Sequence, residues 1–262
     1  MRNGLTDIWQ RRELLWLLVV RNLKIRYKDS SLGFLWSLVS PLSMIVIYSI
    51  FARILRFNAG NPLYLQFLVT GLIVWQFLLL CLNDSLHTIV GHANLIKKTS
   101  FPRITLPLST VAANLVHFLL TLVVLVVFLA MTGMHFRGLE FLPAVILTQC
   151  ALCLGAGLII ATAYVFFRDT QHILQIVTMA WFFLTPIFYA PAMQVDHLPA
   201  AWQWAVFLNP MTGLTCVYRS ILMSEPLPAL SGICISFSVC WALLAAGAWM
   251  FIRLEKRFGD EL

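Results

Sequence analysis

Polar groups able to do chemistry are few in this chain, and each sits beside or inside apolar sequence. His117, with Asn114 one helical turn before it, is the only titratable residue well inside an apolar stretch. Such a pair could relay protons, while a lone histidine in a packed bundle serves more often as a structural hydrogen-bonding group. Asn83 and Asp84 close another stretch, where they could line a gate or mark a membrane interface. Cys150-Ala-Leu-Cys153 has redox spacing without βαβ surroundings, so it reads as small-residue packing. Two basic clusters remain. Arg21, Lys24, Arg26 and Lys28 could attract phosphate at a lipid surface. Lys97, Lys98, Phe101, Pro102 and Arg103 could dock a partner or form only a positive-inside topogenic loop.

Catalytic signatures are absent. The sequence contains no G-x-x-x-x-G-K-[ST] loop, no H-E-x-x-H and no G-x-S-x-G. No carboxylate, His and Ser constellation falls at one depth, so no catalytic or metal-ligating set is expected, and no cofactor in this chain. Basic residues are spread between apolar blocks, which removes nucleic acid as a partner.

The elements that position these groups must be membrane helices. The chain is 60% hydrophobic and 11% charged, with a mean hydropathy of +0.86, against about 25% charged residues in a soluble domain. Six stretches lack Asp, Glu, Lys and Arg altogether: Leu35–Ala52, Leu65–Leu82, Leu108–Met131, Leu142–Phe167, Ile173–Tyr189 and Ser231–Ile252. Each approaches or exceeds the roughly 17–25 residues that cross the hydrocarbon as a helix. The expected fold is therefore an all-α integral membrane protein with six transmembrane helices, at about 32–55, 63–90, 106–132, 141–167, 172–190 and 229–254. Pro41 and Pro186 lie inside two of them, where a kink is tolerable because neighbouring helices can satisfy the freed carbonyls. No alternating strands of a membrane β-barrel occur. Leu14–Val20 is too short to be a cleaved signal peptide and is followed by Arg21.

Residues 1–31 read as an amphipathic interface helix, with Trp9, Trp16, Val20, Leu23 and Tyr27 on one face and Arg21, Lys24 and Lys28 on another, or equally as ordinary positive-inside flanking sequence. Of the 18 Lys and Arg, only Arg53, Arg56, Arg137 and Arg219 fall on the side opposite both termini. Both termini and the 91–107 region are therefore expected in the cytoplasm. On the far side, 191–228 is unusually apolar. Its runs Ala200–Leu208 and Met211–Met223, parted by Asn209-Pro210, are too short to span and suit re-entrant helices.

A permeation path without a motor of its own needs energy from outside, and the Lys97–Arg103 segment with its flanking prolines is the expected point of delivery. A sugar cargo would find flat surfaces on aromatic rings. Tyr48, Phe51, Trp75, Phe77, Trp181, Phe182, Phe188 and Tyr189 are the candidates for a conduit, with lipid-facing packing as the competing reading.

The run Arg21-Asn22-Leu23-Lys24-Ile25-Arg26-Tyr27-Lys28, followed by Ser31-Leu32-Gly33-Phe34-Leu35-Trp36 and Pro41, resembles the opening of the type-2 ABC exporter permeases. The branch it is most similar to exports O-antigen, teichoic acid and related polysaccharides. Asn94-Leu95-Ile96-Lys97-Lys98 with Phe101-Pro102-Arg103, Phe167-Arg168-Asp169, Thr185-Pro186-Ile187-Phe188-Tyr189 and Leu208-Asn209-Pro210-Met211 complete the likeness in order. It implies a homodimer in the bacterial inner membrane bound to two copies of a separate cytoplasmic ATPase subunit, which holds ATP and Mg. It also implies a gate and ATPase contact at Asn94–Arg103 and a polyprenyl-diphosphate-linked glycan as cargo. A type-2 permease for a small hydrophobic drug or lipid, and a gradient-driven secondary carrier, are the alternatives.

Overall fold

The computed structural model describes residues 12–27, 30, 33–54, 63–98 and 101–261. Among them every regular element is helical, as lipid requires of a backbone that must satisfy its own hydrogen bonds. The order is α1 (Arg12–Tyr27), α2 (Trp36–Ile54), α3 (Tyr64–Leu86), α4 (Ala93–Lys98), α5 (Thr105–Met131) and α6 (Leu142–Phe166). Then come α7 (Thr170–Leu184), α8 (Pro191–Asp196), α9 (Pro210–Met223), α10 (Leu230–Leu254) and α11 (Phe258–Glu261). Tight 3-10 segments at Val90–His92 and Ala200–Leu208 lead into α4 and α9.

Among the described residues, four helical segments are long and apolar enough to cross a bilayer: Tyr64–Leu86, Thr105–Met131, Leu139–Phe166 and Leu230–Arg257. They coincide within a few residues with the second, third, fourth and sixth apolar stretches of the sequence. The chain is a multi-pass membrane protein. The remaining two stretches fold less regularly. α2 carries an apolar run over Trp36–Ile50 with Pro41 inside the helix. α7 has only 15 residues, about 22 Å of helix against a hydrocarbon core of about 30 Å. At Pro186 the helix stops rather than kinks. Thr185 turns to extended backbone with ψ 134°, because proline disfavours the helical conformation of the residue before it.

α3 occupies the centre, packed by α5, α6 and α9. Leu68, Ile73, Leu78 and Leu82 of α3 meet Leu125, Leu152, Leu214 and Leu222, all buried. α6 and α10 form the most extensive helix pair, and Gly155 and Gly247 let their backbones touch. A second apolar cluster joins Leu18, Ile89, Ile96, Leu106, Phe251 and Phe258 at the end of the bundle that carries α4. Val123, Val127, Ile176, Met179, Phe183 and Trp249 point outward, a surface suited to lipid.

Candidate functional site

Three groups of polar and aromatic side chains stand out from this packing. The first is at the α4 end, where α1 lies along α5. Leu18 and Val19 are buried against the bundle, whereas Trp16, Leu17 and Ile25 are exposed. Of the expected apolar face, Trp16 looks away from the protein while Val20 and Leu23 are half-buried, and the inward face is partly polar. Asn22 donates to Ser109 Oγ at 3.3 Å. Arg26 donates through Nη2 to both the Asp84 carboxylate and Asn114 Oδ1, the latter at 2.6 Å. Asn114 completes the triangle by donating from Nδ2 to Asp84 Oδ2 at 2.9 Å. Arg26 is thus held against α3 and α5 with part of its side chain still exposed. Arg21 Nη1 lies 2.7 Å from His92 Nε2, and His92 Nδ1 lies 2.7 Å from the Thr88 carbonyl. A guanidinium only donates and a carbonyl only accepts, so the imidazole is neutral with its proton on Nδ1. Burial pushes its pKa below the ordinary value, opposed by the Thr88 bond and reinforced by Arg21. Lys24 is exposed, and Lys28 lies outside the described residues.

The second group is the expected docking segment. Asn94 and Lys97 on α4 are exposed, while Ile96 between them is buried against the second cluster. Phe101 packs against that same cluster. Arg103 donates to the Glu255 carbonyl, tying the segment to the end of α10. Thr105 Oγ1 donates to the Pro102 carbonyl at 2.7 Å and secures the first turn of α5. The Lys98 side chain lies outside the described residues. The arrangement presents two exposed polar groups on a short helix with a rigid footing.

The third group gathers most of the aromatic candidates around the α7 terminus. Trp75 of α3 meets Trp181 edge-on at 5.9 Å and Phe182 at 5.5 Å, and Phe182 meets Phe188 at 5.3 Å. Tyr189 donates to the Phe183 carbonyl at 2.7 Å. Trp75 is 4% exposed and Phe77 2%. Phe77 stands apart, stacked on Phe118 at 4.5 Å. Tyr48 is half-buried against the core, and the Phe51 side chain lies outside the described residues. Asn209 organises the terminus. Its Oδ1 accepts from Met211 N as the cap of α9 and from Trp181 Nε1 at 2.8 Å, while Nδ2 donates to the Leu184 carbonyl at 3.2 Å.

Sequence reasoning missed Arg219. It counts there as a loop cation, yet it is 1% exposed. Its guanidinium donates to the carbonyls of Phe67, Pro186 and Ile187 at 2.7–3.3 Å and lies 3.3 Å from the centre of the Phe67 ring. An arginine inside the apolar run Met211–Met223 was the available signal. Tyr218, its neighbour, donates to Gln149 Oε1 at 2.8 Å, and Gln149 donates to the Val74 carbonyl at 2.8 Å. No disulfide joins any of the six cysteines.

The chain is 34% identical over 95% of both lengths to an O-antigen export system permease protein RfbA of Klebsiella pneumoniae. It is 32% identical over 98% of both to the protein of that name in Myxococcus xanthus. A more distant likeness, 21% over 79% of this chain and 80% of the relative, is to the polysialic acid transport protein KpsM of Escherichia coli. Residues 13–223 match the family described as ABC-2 type transporter, and the chain belongs to that family.

Proposed function

We propose that this chain is the permease subunit of an ABC exporter that carries a lipid-linked polysaccharide, such as an O-antigen, across the bacterial inner membrane. The single observation that carries this reading is the near full-length likeness to O-antigen export permeases in two genera. The lack of any nucleotide-binding motif supports a separate ATPase subunit as the source of work. The functional unit is a homodimer with two such subunits, ATP and Mg being held by them and not by this chain.

In this reading the α4 end faces the cytoplasm together with both termini, in keeping with the excess of Lys and Arg there. The membrane is crossed six times: by the four long helices, by α2, and by α7 continued through 185–189. Residues 191–228 form a re-entrant cap at the far mouth, a role that the short α8 and α9 suit. Residues 1–31 form the interface helix, whose Arg21, Lys24, Arg26 and Lys28 attract the cargo's diphosphate, each contributing on the order of 1 kcal/mol. Half-buried Tyr48, Trp181, Phe182, Phe188 and Tyr189 offer ring faces to passing sugars, with Phe51 beside them and buried Trp75 and Phe77 supporting the wall. Asn94, Lys97 and Lys98 meet the ATPase, and Phe101, Pro102 and Arg103 pass its motion to α5 and α10.

Affinity purification of the tagged chain from native membranes tests the class. A stoichiometric subunit with a Walker A motif, whose hydrolysis depends on this chain, is the expected companion. A chain that emerges alone in mild detergent would remove the ABC reading. The docking role is tested separately by Lys97→Glu, which should weaken retention of that subunit about tenfold while leaving the chain's membrane abundance unchanged. Unchanged retention across a salt titration would move the contact away from α4.

A further inference from the structure

Two cavities flank the Arg26–Asp84 pair. One, about 340 Å3, lies among α1, α3, α5 and the Val90–His92 turn and is lined by Arg21, His87 and His92. The other, about 520 Å3, lies deeper between α2, α3 and α5 and presents Ser40, Gln76, His117 and Thr121. Arg26 and Asp84 are the two residues that line both. The pair therefore forms the partition between a basic vestibule and a groove bearing hydroxyl, amide and imidazole groups. Gln76 and Asp84 are eight residues apart on α3, so the groove reaches about 12 Å beyond the partition.

The hydrogen bonding at this partition is asymmetric. Among the described residues both bonds of Arg26 use Nη2, leaving Nε and Nη1 for another acceptor. The Arg26 side chain is 25% exposed and that of Asp84 39%. Loss of Asp84 frees an Nη2 proton, and Nη2 with either Nε or Nη1 is a fork that matches two phosphate oxygens. Asp84 would not be stranded by losing Arg26, because Asn114 Nδ2 still donates to it and more than a third of the side chain is exposed.

We infer that the Arg26–Asp84 pair is a charge-exchange gate: a diphosphate headgroup entering the vestibule replaces Asp84 as the partner of Arg26 and so opens the way into the groove, whose polar groups sit among apolar Trp36, Met44, Ile73 and Leu80. This rests on the lipid-linked cargo proposed above. The exchange is a competition between two anions for one guanidinium. The diphosphate wins by its greater charge and its two-oxygen grip, and a monoanionic phospholipid headgroup competes less well. An empty vestibule leaves the pair closed, which keeps the groove shut between cargo molecules.

Binding of undecaprenyl diphosphate to the full chain, with its co-purifying subunit, in nanodiscs of defined phosphatidylethanolamine and phosphatidylglycerol content tests this inference. D84N removes the internal competitor and should bind about tenfold tighter, and R26Q should bind about tenfold weaker. The double variant R26Q/D84N should match R26Q, because the gain from D84N acts only through Arg26. A pair that is merely structural predicts the same sign for both single variants, and that result overturns the gate. A gain from D84N that persists in the R26Q background would mean simple repulsion by Asp84 and would also overturn it. If D84N alone fails to give a monodisperse particle, R26Q against R26Q/D84N still decides, equal affinity being the expected result and a difference the contrary one. Wild-type chain binding undecaprenyl diphosphate no better than phosphatidylglycerol would defeat the cargo reading itself. Wild-type selectivity with same-sign single variants would defeat the gate alone.

Discussion

Replacing Arg219 by Met removes most of the folded chain from the membrane, although Met fills a similar volume and carries no charge to desolvate. The reason lies with the carbonyls rather than with the cation. α7 breaks at Thr185 because Pro186 follows, so the Pro186 and Ile187 carbonyls leave the helix with no helical donor ahead of them. Both are in buried residues, where water cannot replace the missing donor. Arg219 reaches them at 2.7 and 3.0 Å and still holds the Phe67 carbonyl at 3.1 Å, three acceptors that one planar fork can serve at once. An orphaned buried acceptor costs about 1–3 kcal/mol, so two cost about 2–6. That is a large fraction of the roughly 5–15 kcal/mol that keeps a domain folded. Arg219→Lys keeps the charge but lacks the planar fork, and should fall between Met and wild type.

Gly71 gives an independent check on the same cradle. A Cβ there would stand 2.6 Å from Arg219 Nη2 and 3.5 Å from the Ile187 backbone. Gly71→Ala should therefore displace the guanidinium and lower thermal stability in the same direction as Arg219→Met, with little further loss when the two are combined. Fluorescence-detected size exclusion of heated, tagged variants measures all of these. A wild-type melting temperature for Arg219→Met would mean that the carbonyls find other donors and that the cradle is dispensable.

The parts of this fold that the sequence disclosed are those set by local composition. Apolar runs free of charge locate α3, α5, α6 and α10 to within a few residues, since their length alone must match the hydrocarbon. Asn209-Pro210 marks the start of α9 because an amide cap followed by proline at the first helical position is a local device. What stayed hidden depends on distance. Arg26 and Asp84 are 58 residues apart and Arg219 and Phe67 152, so no window of sequence contains either pairing. Asp84, Asn114 and His117 could each be singled out as polar groups near or inside apolar helices, but only packing brings the first two onto Arg26. Pro186 announces a disturbance in α7 without saying whether the helix bends or stops. That depends on whether some other side chain will satisfy the freed carbonyls, and Arg219 does so.

Gly155→Ala and Gly247→Ala should each destabilise the chain, against the local preference of a helix for alanine. That preference favours Ala over Gly by about 1 kcal/mol, so the packing cost must exceed it for the prediction to hold. A Cβ on Gly155 would stand 2.5 Å from Leu244 N and 2.6 Å from the Leu243 carbonyl carbon. A Cβ on Gly247 would stand 2.3 Å from the Gly155 carbonyl oxygen. These neighbours are backbone atoms of α6 and α10, which no rotamer change can move aside, so the two helices must separate. Separation opens the layers formed by Leu152, Leu158, Cys240 and Phe251, all fully buried, and membrane helices have no hydrophobic drive to close the gap with lipid. Overpacking of this kind costs about 1–3 kcal/mol, and the upper part of that range overcomes the helical gain. Because one separation relieves both clashes, the double variant should lose much less than the sum of the single losses, a non-additivity that two unrelated defects would not show. The consequence extends to the α4 end, since α10 carries Phe251 into the second cluster and leads directly into Glu255, whose carbonyl accepts from Arg103. In the exporter proposed above, variants that still fold at low temperature should therefore stimulate the ATPase subunit less than their abundance allows. Normal stimulation in a destabilised Gly247→Ala chain would show that the α4 footing does not depend on the α6–α10 contact.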